Sequence, residues 1–342
     1  MRRVLAIAGA ALCALLFVAG GAGAQPVEWT LHRTQDGARP DGNEQAYLWL
    51  MNRARQDPAA EGAFLAGLDD PIVQLSYGVF QTDLGLLQAE LAARAPAPPA
   101  AFDRRLWAAA RDHAEAMIAA DAPFVAGQLD RLLPAGFVYP SVDRAAGHAY
   151  GFAVGPLHGH AAWSANWGAG PGGMTAGRPN REILLGTLAN AGIAVLADPD
   201  PGDVLGPLVA VANHADANQL FPDHHDRFLV GTVWEDLDDN GRYDPGEGIA
   251  GVSVVPDSGD FFAVTAAGGG YAIPVTAPGA LQVTFSGAGV PLRHRSVTVG
   301  ATSVLVDYRV PEPGGAAAAL APVAALAIPA LPHPRPPAAG PH

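Results

Sequence analysis

From Asn43 the apolar positions Tyr47, Leu50, Met51 and Ala54 recur at helical spacing, and the pattern predicts a helix that ends at Asp57-Pro58. "DLGLLQAELAARA" reads as a second helical piece, and "APAPPA", 95–100, as a proline-rich connector. The strongest helical pattern is "FDRRLWAAARDHAEAMIAAD", 102–121, where Leu106, Ala109, Ala110, His113, Ala114 and Met117 share one face. "NREILLGTLANAGIAVLAD" predicts a short helix, a turn and a strand, and "GPLVAVANHA" a second apolar strand. Helices and strands mix without regular alternation, so residues 43–220 are expected to form an α+β domain. From about Phe221 the helical spacing stops. Short β-branched or aromatic segments alternate with Gly, Pro, Asp and Ser, as in a β-sandwich of roughly seven strands spanning 221–310.

The ends differ from this middle. Arg2 and Arg3, an apolar run and Ala22-Gly23-Ala24 predict a signal peptide over 1–24, cleaved before Gln25. Residues 25–42 are a polar lead-in. Residues 311–342 are a low-complexity Pro/Ala tail whose apolar run, 316–331, is too short and too broken for a membrane span. Secretion to the extracellular space or the cell surface follows from the signal. The single cysteine, Cys13, would leave with it, which removes disulfides, thiol chemistry and Cys-ligated metals from the mature chain. The chain has 20 Arg plus Lys against 33 Asp plus Glu, a net charge of −13, which argues against nucleic acid and anionic membrane surfaces as partners.

One stretch carries ion chemistry. "DLDDNGRYDPGE" matches D-x-[DN]-x-[DN]-G-x₅-E in full, with Asp236, Asp238, Asn240, Gly241, Arg242, Asp244 and Glu247 at positions 1, 3, 5, 6, 7, 9 and 12. Calcium takes six to eight hard oxygens. Alternate residues of a tight loop can point side-chain oxygens inward, the glycine allows the turn, position 7 gives only its carbonyl, and Glu247 closes the shell. The competing reading is a hairpin with acidic turn residues, but four carboxylates so close would repel without a cation. Calcium is therefore the expected cofactor. The flanks, "FLVGTVW" and "IAGVSVV", are strand-like rather than helical.

Around this loop, "GTVWEDLDDNGRYDPGEGIAGVSV" and the later "GGGYAIPV" resemble the B-type repeats of SD-repeat surface adhesins, and more loosely collagen-adhesin B-type domains. The resemblance implies an Ig/prealbumin-like, calcium-stiffened stalk or spacer. Upstream, Asn52, Arg55, Leu106, Ala109, Ala110, His113 and Met117 match the Asn-x-x-Arg and L-x-x-A-A-x-x-H-x-x-x-M helices of the bacterial branch of the CAP superfamily (SCP-like domains). That family's fold is an α-β-α sandwich. Its cavity His and Glu residues find no counterpart here, and Asn180 stands where the family has a His, so His113 is expected only to pack. The tail's Pro311-Glu312-Pro313 weakly resembles a PEP-CTERM sorting signal, although Arg335 alone replaces the basic cluster. A plain disordered tail is the other reading.

These readings converge on a secreted, non-catalytic binding or surface-structural protein with an extracellular ligand that is a lipid, a polysaccharide or a protein. The competing reading is a metal-dependent hydrolase using His148, His158 and His160, for which no nearby acidic residue offers a general base. A third is lipid or sterol binding in a CAP-like cavity. Ser141 and Ser164 lack a nucleophile context. The segment "NHADANQLFPDHHDR", with His214, Asp216, Asp223, His224, His225 and Asp226, reads as an exposed interdomain linker.

Overall fold

The computed structural model describes residues 25–311, apart from Pro199 and Pro201. The expected signal peptide and all but the first residue of the tail lie outside the described residues. The fold is mixed, with seven α-helices and three sheets among those residues. The chain enters through β1 (Val27–Glu28) and then lays down α1 (Gly42–Gln56), α2 (Pro58–Ala66), α3 (Pro71–Phe80) and α4 (Leu84–Ala92). β2 (Ala101–Phe102) leads into α5 (Arg104–Ala120).

Each of these five helices opens on an aspartate. Asp41, Asp57, Asp70, Asp83 and Asp103 accept backbone N–H bonds that the first turn cannot satisfy internally. Asp41 and Glu44 form a reciprocal capping box. Asp57-Pro58 does end α1, as expected, but it also starts α2: Pro58 sits in the first turn, where its missing N–H removes no helical bond.

Next come β3 (Ala145–Ala153), α6 (Pro156–Ala165), α7 (Pro179–Leu184), β4 (Asn190–Ala197) and β5 (Leu208–Ala215). These strands form a sheet of order β2-β4-β5-β3, with β4-β5 and β5-β3 antiparallel. Helices cover both of its faces. On one, a Cβ at Gly192 would stand 2.0 Å from the Trp107 nitrogen, so α5 lies directly on the strand. Asn213, across from Gly192, donates to the Leu106 carbonyl at 3.3 Å. On the other face, the His148 ring lies tilted with its centroid 4.3 Å from that of Trp163 of α6, and Tyr47 of α1 meets the same indole at 4.8 Å.

Asn52 and Arg55 fasten α1 to this sheet. Asn52 exchanges two hydrogen bonds with the Ala100 backbone, at 2.8 and 3.0 Å. Arg55 is fully buried and donates to the carbonyls of Leu184, Leu188 and Pro98 at 2.8, 2.9 and 3.4 Å.

From Phe228 to the last described residue, all the regular structure is β. The strands are β6 (Phe228–Glu235), β7 (Ser253–Pro256), β8 (Phe261–Val264), β9 (Gly270–Pro274), β10 (Gly279–Ser286), β11 (Arg293–Val299), β12 (Val304–Leu305) and β13 (Tyr308–Val310). One sheet runs β1-β8-β7-β10-β11; in the other, β9, β12 and β13 all pair with β6. Leu229, Val233, Tyr271 and Ile273 of the second sheet pack against Val254, Ala263, Val283 and Phe285 of the first. The last expected strand is split in two: β12 and β13 pair in parallel with β6 in one register, and between them the Asp307 carboxylate rather than a backbone carbonyl accepts the Thr232 N–H, at 2.8 Å.

The two halves share buried contacts. Gln45 of α1 donates to the Thr232 hydroxyl at 2.7 Å, and Trp49 meets Trp234 edge to face at 6.0 Å. The lead-in is built into the β half: β1 pairs in parallel with β8, and the His32 ring nitrogens lie 2.7 and 2.8 Å from the Trp29 and Val264 carbonyl oxygens, the neutral ring donating to one of them.

Candidate metal centre

β6 delivers the acidic loop. The Glu235 N–H bonds the Glu247 carbonyl at 2.9 Å, and Trp234 bridges to Gly248, so the loop leaves and rejoins the sheet at one place. Gly241 takes a φ of +75°, the left-handed conformation that its position in the motif requires. Tyr243 is buried beneath the loop; its hydroxyl donates to the Gly268 carbonyl at 3.0 Å, and its ring packs with Ala46 and Trp234.

Three carboxylates converge: each of Asp236, Asp238 and Glu247 offers an oxygen, and these lie within 4.8 Å of one another. Backbone N–H groups aim them. Asp236 accepts from Asn240 at 3.1 Å and from Gly241 at 2.8 Å. Glu247 is buried and ties both ends of the loop, accepting from Leu237 at 2.8 Å and Asp244 at 2.7 Å. The donor set is all hard oxygen. Calcium–oxygen distances of about 2.3–2.6 Å place opposed ligands roughly 5 Å apart, so the separations suit that ion.

The other expected ligands stand around this trio. The Asn240 amide nitrogen is 2.8 Å from Asp238 and 2.6 Å from Asp244, while its oxygen accepts from the Arg242 N–H at 2.7 Å. The Arg242 side chain points to Asp244, 3.1 Å away, which fits a position that would offer an ion only its carbonyl. Asp244 thus sits outside the converging trio, at the loop position that often reaches calcium through water.

The histidines behave differently. His148, His158 and His160 do not meet. His158 and His160 are both on α6, roughly 200° apart around the helix. His148 Nε2 lies 3.2 Å from His214 Nε2, and His158 contacts the Ser76 hydroxyl at 3.1 Å. His160 Nε2 lies 2.8 Å from Glu61 Oε1, so an acidic neighbour that sequence proximity gave no sign of does exist. The Ser164 hydroxyl meets that same nitrogen at 3.3 Å. A serine triad needs the two ring nitrogens to serve different partners, whereas His160 Nδ1 here has none and Ser164 is fully buried. His113 is buried on α5. The segment read as an exposed linker is largely anchored instead: His214 lies inside β5, Asp216 pairs with Arg144, and His224 accepts the Val138 N–H at 2.9 Å.

Burial gives three histidines a measurable role. Desolvation lowers His32 to about 4, His148 to about 3 and His214 well below the ordinary value. In the unfolded chain each takes its proton near pH 6.5. Stability is therefore present above that pH and falls as acid charges the unfolded state, by about 1 kcal/mol per histidine between pH 6.5 and 5.5. Asp307 opposes this: burial raises its carboxyl to about 6, so the fold gains a proton in the same window. A net loss of about 2 kcal/mol is expected over that step from these four groups, and His113, His158 and His225, also lowered by burial, add to it. Urea midpoints at the two pH values measure it, and an unchanged midpoint would contradict the assignment.

No protein-family model matches the chain, and no curated protein matches it. Sequence reasoning missed Arg309, which reaches the loop from β13. Its guanidinium lies 2.7 Å from Asp236 and 3.1 Å from Asp239. No local pattern could signal this; it follows from the parallel register of β13 on β6.

Proposed function

We propose that the chain is a secreted, non-catalytic binding or surface-structural protein whose β half is stabilised by calcium. The observation that carries this reading is the convergence of Asp236, Asp238 and Glu247 within 4.8 Å, at positions 1, 3 and 12 of a full calcium-loop pattern. Its placement between strands of a sandwich supports a relation to the B-type repeats of surface adhesins. The Asn52/Arg55 helix and the α5 helix, packed against one sheet, support a degenerate CAP-like module. Among the described residues, the three histidines of the hydrolase reading do not meet, and Ser164 beside His160 is fully buried. No helix among the described residues is long and apolar enough to cross a membrane.

Calorimetric melting of the full chain, in calcium and in chelator, tests the proposal. An ion that binds only the folded form stabilises by about 2.7 kcal/mol at one hundred times its Kd. A transition that rises in calcium supports the reading; identical melting in both conditions overturns it.

A further inference from the structure

The acidic loop has a cation of its own. Asp236 is the first position of the loop, and its side chain is only 1% exposed. Both of its oxygens are engaged: Oδ1 accepts from the Asn240 N–H, and Oδ2 accepts from the Gly241 N–H at 2.8 Å. Arg309 Nη2 lies on that same Oδ2, at 2.7 Å. The guanidinium is held from other sides as well, 5.7 Å over the Trp234 ring and 3.1 Å from exposed Asp239. Arg309 is set opposite Trp234 in the β13–β6 pairing, two residues before Asp236.

We infer that Arg309 is a tethered competitor for the ion: it neutralises the carboxylate cluster when calcium is absent, and it must yield Asp236 when calcium binds. This rests on the calcium reading above and adds what sets the affinity. Three converging carboxylates repel one another without a counter-charge. A guanidinium delivered by a neighbouring strand supplies that charge with little loss of freedom, because β13 already fixes its backbone. The same charge then opposes a divalent ion, through direct repulsion and through occupation of an oxygen the ion needs. Arg309 thereby keeps the ion-free loop folded and makes its calcium affinity weaker than the ligand set alone would give.

The test is a calorimetric titration of calcium chloride into the chelator-treated full chain, parent and Arg309→Gln. The variant is expected to bind about tenfold tighter, while its ion-free form melts earlier and its calcium-loaded form melts close to the parent. If the parent binds calcium and the variant binds with equal or lower affinity, Arg309 merely props the loop and the inference fails, with the calcium reading intact. If the parent shows neither binding heat nor a melting shift, the calcium reading itself has failed, and this inference with it. Should Arg309→Gln not fold without calcium, Arg309→Lys is titrated instead. It keeps the charge but loses the planar fork, so an affinity above the parent's is expected, and one equal to or below it overturns the inference.

Discussion

Glu247→Ala is expected to remove about 4 kcal/mol of stability in calcium and to abolish the calcium response. Two losses combine. The first is that of the proposed ion, whose shell would lose its closing carboxylate. The second is independent of the ion: the N–H groups of Leu237 and Asp244, now 2.8 and 2.7 Å from the Glu247 oxygens, would lose their acceptor in a half-buried place. Leaving buried donors unpaired costs about 1–3 kcal/mol. Glu247→Gln separates the two losses. An amide oxygen can still hold one N–H, so most ion-free stability should survive while the calcium response disappears. Urea denaturation of both variants, with calcium and with chelator, measures this. A glutamine variant that responds to calcium like the parent would remove Glu247 from the ligand set.

Arg55→Ala is expected to cost about 3–5 kcal/mol in the helical half. The guanidinium is fully buried and has no carboxylate partner; its bonds go to the carbonyls of Leu184, Leu188 and Pro98. Burial alone lowers its pKa to about 9. Truncation would leave a cavity and orphan those carbonyls, detaching α1 from the end of α7 and from the proline-rich connector. Arg55→Met refills the volume without the charge, so it should lose clearly less than the alanine variant. The same denaturation series reads both. Equal losses would show that the hydrogen bonds, rather than the packing, dominate.

What the sequence disclosed follows the reach of each signal. α1 and α5 were legible because their apolar faces repeat at helical spacing, and the loop was legible because its acidic and amide residues lie close together at fixed spacing in the chain. α2 was hidden by Pro58, which reads as a breaker unless Asp57 is recognised as a cap. β3 was hidden by composition: "AAGHAYGFA" has no strict alternation of large apolar residues, and its strand state comes from pairing with β5. Non-local partnerships were invisible throughout. Glu61 meets His160 across 99 residues, His148 meets His214 across 66, and Arg309 reaches Asp236 from the final strand. Such pairs are set by register and helix packing, which no window of sequence contains. The same reason explains why "NHADANQLFPDHHDR" reads as a linker: His214, Asp216 and His224 find His148, Arg144 and the Val138 N–H far along the chain.

β1 and β13, the first and last strands described, both belong to the β half. Mechanical tension applied through the two ends would therefore enter and leave through that half, along the β1–β8 and β13–β6 seams, while the helical residues hang between them as a side loop off the load path. Arg309 bridges the second seam to the acidic loop. Occupancy of the proposed ion site would thus alter the strength of the element that carries the load and leave the helices unstressed.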